Sequence, residues 1–334
     1  LCDGKILIAC AEGVCLDGHS PCKLNFVMDE MGCGTALVTP FREDGSIDER
    51  ALYDLTQWQV ESGIDWLVAC GTTAETPTLS DDEWLQVLRI VAEAAAGRVP
   101  VWAGCTHNAT RLAVARAKTA AQVPGVTAIL SANPYYNKPT QEGQFAHFRA
   151  VAAAVDLPVV LYNIPSRSGV NLEPATVLRL MEAAPNIAGI KESSGNLPQI
   201  AELVTQAPRS FRVYAGDDNM ALGTIGVGGA GLVSVASNEI PGEMARMVRS
   251  ALDNDWATAR RIHRKYFRLL QANFRETSPG PVKAVMAMMG KIGEHYRLPM
   301  VPVSPGTRAY LERLAGELGL LVHAPQADGD YRMF

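Results

Sequence analysis

Lys191 ends the apolar run Ile187-Ala188-Gly189-Ile190, so a strand through that run carries its amine to the strand's C-terminal end. A lysine in water has a pKa near ~10.4, which leaves only about one amine in a few thousand neutral at pH 7. Desolvation is the general means of freeing such an amine to attack a ketone and form an imine. A salt bridge to Glu192 or to a loop acid is the competing outcome, and position alone leaves the two level. Hydroxyls tilt the balance. Tyr162 ends a second apolar run, Thr72-Thr73 follows a third and Tyr136 follows a fourth. Imine formation passes through a carbinolamine, and a chain of hydroxyls can carry protons to and from it. Thr72 and Thr73, in a Gly-containing turn, also present hydroxyl and backbone N–H donors that suit a small carboxylate. Tyr135-Tyr136 read equally well as an aromatic pair at a subunit contact.

Something must bring these ends together. Eight strand-like runs rich in Val, Ile, Leu and Ala recur from residue 34 on, at Gly34–Thr39, Trp66–Gly71, Val99–Cys105, Thr127–Asn133, Pro158–Ile164, Ile187–Glu192, Arg212–Gly216 and Gly231–Ser237. Several are almost continuously apolar, as a parallel strand covered on both faces requires. Helical patterns separate them. Ser46-x-x-Glu49 and Ser80-x-x-Glu83 read as capping boxes. Behind them, Ala51, Leu55 and Trp58, and then Trp84, Val87, Leu88 and Val91, form apolar stripes to lay on a sheet. Strand and helix alternating eightfold predict an α/β fold, a (β/α)8 TIM barrel over residues 31–250, whose reacting groups come from strand C-termini and the loops after them. Residues 251–334 continue with helical patterns at Trp256–Phe274, Val282–Gly290 and Pro305–Leu320, a C-terminal helical appendage.

The 334 residues are 48% hydrophobic and 19% charged, which excludes a disordered chain. A net charge of −5 with no basic cluster argues against nucleic acid as a partner. No run approaches the ~18 apolar residues of a membrane span. Four of the seven cysteines (Cys2, Cys10, Cys15, Cys22) crowd the first 22 residues. Cys33, Cys70 and Cys105 sit in or beside strand-like runs and read as buried, inert thiols. No Cys or His spacing suits zinc. Leu7-Ile8-Ala9-Cys10 resembles a lipoprotein cleavage box but lacks an apolar stretch of adequate length before it. Residues 1–30 are expected to be an extension outside the fold, with Met28 or Met31 as its natural beginning. Gly226-Val227-Gly228-Gly229-Ala230-Gly231 satisfies the dinucleotide-binding string, yet it follows a helix and precedes a strand, the reverse of the order that places a pyrophosphate on a helix N-terminus. Close packing at the base of the eighth strand is the simpler reading.

Five segments, Gly71-Thr72-Thr73-Ala74-Glu75, Pro134-Tyr135-Tyr136-Asn137-Lys138-Pro139, Tyr162-Asn163-Ile164-Pro165-Ser166-Arg167-Ser168-Gly169, Gly189-Ile190-Lys191-Glu192 and Gly216-Asp217-Asp218, together resemble the dihydrodipicolinate synthase family of pyruvate-dependent class I aldolases. The similarity runs in matching order from about Gly32 to about Leu320. It implies a lyase of lysine and diaminopimelate biosynthesis that needs no metal and no organic cofactor, works in the cytoplasm and assembles as a homotetramer, a dimer of dimers. By motif, Lys191 forms the imine with pyruvate. Thr72, Tyr162 and Tyr136 match the proton relay, Tyr136 coming from a neighbouring subunit. Thr73 matches the pyruvate carboxylate contact, Val233 a backbone carbonyl lining the site, and Gly216 a further substrate contact. Arg167 matches the guanidinium that holds the carboxylate of aspartate semialdehyde, a group suited to its fork. That arginine and the Tyr-Tyr-Asn-Lys-Pro segment favour the synthase over N-acetylneuraminate lyases and sugar-acid aldolases of the same superfamily. Ala74 and Thr76 stand where Gly and Ser are usual. At the family's lysine-feedback site Asn108 and Tyr135 match, but Leu112 replaces an acid and Trp84 a histidine, which implies weak or absent inhibition by lysine.

Overall fold

The computed structural model describes residues 28–321, so the cysteine-rich segment and the Leu7–Cys10 box lie outside the described residues. Eight strands close into a barrel: β1 (Gly32–Ala36), β2 (Trp66–Ala69), β3 (Val101–Gly104), β4 (Val126–Ala132), β5 (Val159–Asn163), β6 (Ile187–Glu192), β7 (Arg212–Ala215) and β8 (Gly231–Ser234). Every neighbouring pair is parallel, and β8 returns to β1 with Gly231 opposite Gly32 and Ser234 opposite Thr35. The expected (β/α)8 barrel is the fold observed, and all eight expected runs carry a strand. The first strand begins earlier than expected, at Gly32.

Two-residue alternation divides the strand side chains. Leu67, Ile129, Leu161, Ile190 and Val213 face outward into the layer shared with the helices, while Trp66, Val68, Trp102, Leu130, Val160 and Tyr214 fill the barrel. At the N-terminal end the indoles of Trp66 and Trp102 stack with centroids 5.0 Å apart, and the Tyr214 ring meets each edge-on at 5.3 Å. Gly34 is required there, since a Cβ on it would fall 2.0 Å from Trp66 Nε1. Met28 is buried against this plug, its carbonyl accepting from Arg212 Nε at 2.8 Å, and Tyr214 Oη donates to the Glu30 carbonyl at 2.8 Å. Residues 28–30, expected outside the fold, are therefore part of it, because the aromatic plug offers an apolar seat and two donors to that stretch. With this aromatic plug at the lower end, the large cavity of the barrel opens at its C-terminal mouth.

Two local expectations need correction. Ser46 does not cap a helix: its N–H and hydroxyl both bond the Asp44 carboxylate in a turn, and the helix Glu49–Glu61 is capped by Asp48, which accepts from the Ala51 N–H. The buried stripe is accordingly Leu52, Leu55, Thr56 and Gln59. An aspartate nearer the helix wins because a carboxylate accepts more strongly from orphan N–H groups than a hydroxyl does. The second box holds, with Ser80 Oγ and Glu83 each accepting from the other's backbone N–H, and Trp84, Val87, Leu88 and Val91 buried. The glycine string before β8 packs: a Cβ on Gly231 would lie 1.9 Å from the Gly32 carbonyl oxygen and one on Gly229 2.7 Å from that of Thr224. Three further helices, Trp256–Ala272, Gly280–Met288 and Pro305–Glu317, follow the barrel. Among the described residues no helix is long and apolar enough to cross a membrane.

Candidate active site

Lys191 and Tyr162 are register partners on β6 and β5, so the alternation that sends both inward places the amine over the phenol ring, with Nζ 4.3 Å from its centroid. Both side chains are buried, at 4% and 5% exposure. Glu192 is one residue further and must point the opposite way, through the barrel wall. There it accepts from Asn163 Nδ2 at 3.1 Å, Gln199 Nε2 at 3.1 Å and the Ser194 N–H at 2.7 Å, while burial pushes its carboxyl up. The salt bridge Lys191–Glu192 is thus excluded by strand geometry. Among the described residues no acid lies within ion-pair distance of Lys191. Asp217 shares its cavity; burial raises that carboxyl, and the Lys191 charge opposes the rise only in part.

The cavity above Lys191 has a volume of about 520 Å3 and brings together Thr72, Thr73, Tyr162, Arg167 and Gly216. Thr72 and Thr73 sit in the 3-10 turn Thr72–Ala74 directly after β2, Thr72 half-buried and Thr73 buried. The turn is tied down by the Thr39 hydroxyl, which donates to the Ala74 carbonyl at 2.8 Å, and by the Thr76 hydroxyl, which donates to the Gly71 carbonyl at 2.8 Å. Thr76 thereby supplies the hydroxyl of the usual serine, and Ala74 is accommodated without loss of a donor. Arg167, on the short helix Pro165–Ser168, reaches the cavity with Nη2 donating to the Ser278 carbonyl at 3.0 Å.

Gly216 follows β7 and lies against the lysine stem. A Cβ there would lie 2.9 Å from Lys191 Cε and 1.9 Å from Ser193 Oγ, and only the serine hydroxyl can turn away cheaply. Gly216→Ala is therefore expected to slow reaction of Lys191 with a keto acid about tenfold, equivalent to about 1.4 kcal/mol, with little change in Tm. Single-turnover trapping with borohydride measures this, and an unchanged rate would show that the stem has room to move. The next residue but one, Asp218, is buried and accepts from Ser234 Oγ at 2.5 Å and the Val235 and Ala236 N–H groups at 3.1 and 3.2 Å, pinning the ends of β7 and β8 together. Val233 faces the barrel core, fully buried, and it is Val235 that lines the cavity.

Tyr136 lies apart from these groups. Its side chain is 88% exposed, and its backbone takes the left-handed φ of 74°, a conformation that costs a non-glycine residue about 1 kcal/mol or more. The three cysteines among the described residues do not line the cavity above Lys191: Cys33, Cys70 and Cys105 are buried, and desolvation raises all three thiols well above their ordinary range. Gln271, Phe274 and Ser278, which form one wall of the cavity, escape sequence reasoning because they lie some 80 residues beyond Lys191. The helix-breaking Ser278-Pro279-Gly280-Pro281 was the one signal of a fixed loop there.

The family model for the dihydrodipicolinate synthetase family matches residues 29–317. The chain is 78% identical over 298 residues to the 4-hydroxy-tetrahydrodipicolinate synthase of Acidobacterium capsulatum, covering 89% of this chain and 99% of that protein. It superposes on dihydrodipicolinate synthase from Aquifex aeolicus with a TM-score of 0.86 at 39% identity, covering 88% of this chain and all of the other (100%). It superposes likewise on the chloride-inhibited enzyme of Acinetobacter baumannii complexed with pyruvate, with a TM-score of 0.85 at 38% identity over 87% of this chain and 99% of that one. With its motifs in place around one barrel mouth and similarity extending over nearly all the described residues, this chain belongs to the dihydrodipicolinate synthetase family.

Proposed function

We propose that the chain is a 4-hydroxy-tetrahydrodipicolinate synthase, condensing pyruvate with L-aspartate 4-semialdehyde. The observation that carries this reading is Lys191 itself: a buried amine at the open end of a barrel, with no ion-pair partner among the described residues, against a phenol. The amine adds to the keto carbon of pyruvate, and loss of water from the carbinolamine leaves an imine. Tyr162 and Thr72 move the protons of that step. Loss of a methyl proton gives an enamine, whose carbon attacks the aldehyde of the semialdehyde and forms the new C–C bond. The adduct's own amine then attacks the imine carbon, closes the ring and releases Lys191. Thr73 holds the pyruvate carboxylate, the backbone at Gly216 lines the substrate beside Val235, which takes the place expected of Val233, and Arg167 takes the semialdehyde's carboxylate.

Tyr136 completes the relay from a second copy of the chain. Its exposure and strained backbone support this, since a phenol turned to solvent cannot serve its own cavity. The family resemblance, and not the exposure of Tyr136, is what supports a homotetramer in the cytoplasm as the working form. Cleavage of sugar acids on the same scaffold is disfavoured by Arg167 and the Tyr-Tyr-Asn-Lys-Pro segment. A coupled assay comparing aspartate semialdehyde with aldehyde sugars, each with pyruvate, tests the choice; preference for the sugars would overturn it.

Feedback by lysine is expected to be weak. Trp84 is buried, with its indole N–H donated to the Gly104 carbonyl at 3.0 Å, so it presents no polar group to a ligand. The guanidinium of Arg116 lies 5.9 Å from the Trp84 ring and lines a cavity of about 220 Å3 with Tyr135. An ammonium bound there would meet a cation and lose its hydration without an acid to replace it. Initial rates should remain near the uninhibited value at about 1 mM lysine, corresponding to binding weaker than about −4 kcal/mol; half-inhibition well below that concentration would contradict this.

A further inference from the structure

Two charges with no place in the chemistry described above are buried together outside the cavity. Lys283, on the helix Gly280–Met288, places Nζ 2.6 Å from Glu75 Oε1, with the side chains 0% and 1% exposed. The ammonium also donates to the Thr39 carbonyl at 3.1 Å, and the rings of Phe41 and Tyr296 lie 4.5 and 5.0 Å from it. Burying such a pair is costly and gives no assurance of net stability, because desolvation of two ions offsets most of their attraction. What the pair does supply is direction. Glu75 closes the turn that carries Thr72 and Thr73, and does so in the left-handed conformation at φ 54°, which a non-glycine residue holds only if its surroundings enforce it.

The contacts form a closed circuit. Lys283 holds the Glu75 carboxylate and the Thr39 carbonyl; the Thr39 hydroxyl in turn holds the carbonyl of Ala74. The second oxygen of Glu75 accepts from the Arg297 N–H at 3.4 Å. The Arg297 side chain then donates to the Thr78 carbonyl at 3.0 Å and pairs through both Nη atoms with Glu83 at 2.8 and 2.6 Å. Both flanks of the β2 turn are thus fastened to a stretch of chain more than 200 residues away. Neither Lys283 nor Glu75 lines the cavity.

We infer that Lys283, through Glu75, is a positioning residue for the hydroxyls of Thr72 and Thr73, so that the segment after the barrel sets the geometry of the proton relay. The inference rests on the proposed imine chemistry of Lys191. Its test compares wild type with Lys283→Met and with the double variant Glu75→Leu/Lys283→Met. The single variant strands a buried carboxylate and is expected to lose stability; the double variant removes both ions and is expected to fold with a Tm near that of wild type.

In the folded double variant, borohydride trapping of pyruvate on Lys191 should be slower by tenfold or more, and kcat should fall equally. The KM for the aldehyde should stay within twofold, since Arg167 is held from another side. Glu75→Gln, which keeps a hydrogen bond to the ammonium, should recover most of the rate. A double variant that traps pyruvate within twofold of wild type per folded molecule overturns the inference. So does unfolding of every variant in proportion to its lost activity, since that assigns the pair to stability alone. Failure of wild type to trap pyruvate would instead overturn the imine reading, and is thereby distinguished.

Discussion

Lys191→Ala is expected to abolish the borohydride-trapped pyruvate adduct and to lower kcat by about three orders of magnitude, a loss of about 4 kcal/mol of transition-state stabilisation. The effect is large because, among the described residues, no other lysine lines the cavity to take over. Lys283, the nearest buried alternative by chemistry, is locked to Glu75 and lies outside the cavity. The fold should survive, since the substitution shortens a side chain that faces the open mouth while Trp66, Trp102 and Tyr214 seal the opposite end. Intact-protein mass spectrometry after incubation with pyruvate and borohydride reads the first effect and the coupled assay the second. A full adduct on the variant would remove Lys191 from the chemistry altogether.

Arg167→Ala is expected to separate the two halves of the reaction. The guanidinium reaches the cavity from the short helix after β5, with one nitrogen anchored on the Ser278 carbonyl, and in the proposed reaction it takes the carboxylate of the acceptor. Removing it leaves the semialdehyde's carboxylate without a charged partner in a partly desolvated site, a loss of about 2–5 kcal/mol. The kcat/KM for the semialdehyde should therefore fall by about 30- to 5,000-fold, while pyruvate trapping on Lys191 stays within about twofold of wild type. Arg167→Lys should recover only part of the loss, because an ammonium lacks the two-pronged donor geometry. Equal damage to trapping and to semialdehyde use would refute the assignment.

Both expectations depend on features that were legible residue by residue. The runs ending at Tyr162 and Lys191 are continuous enough in Val, Ile and Leu to be strands, whereas the choice between a free amine and a pair with Glu192, level in the sequence, is made by the folded wall, which sends the two side chains to opposite faces. The capping box at Ser80 was readable because its two partners are three residues apart. The box at Ser46 misled for a related reason: the string is present, but Asp48, two residues on, is the better acceptor.

Local pattern determined the barrel and the amine's place at a strand end, because period and turn chemistry act between residues a few positions apart. Other features came from tertiary structure alone: the wall built by Gln271, Phe274 and Ser278, the seat of Met28 among the aromatic rings, the tie from Lys283 to Glu75, and the exposure that leaves Tyr136 outside its own cavity. Each depends on which distant surfaces meet when the chain closes on itself, and burial against a remote partner leaves no periodic trace in the residues on either side.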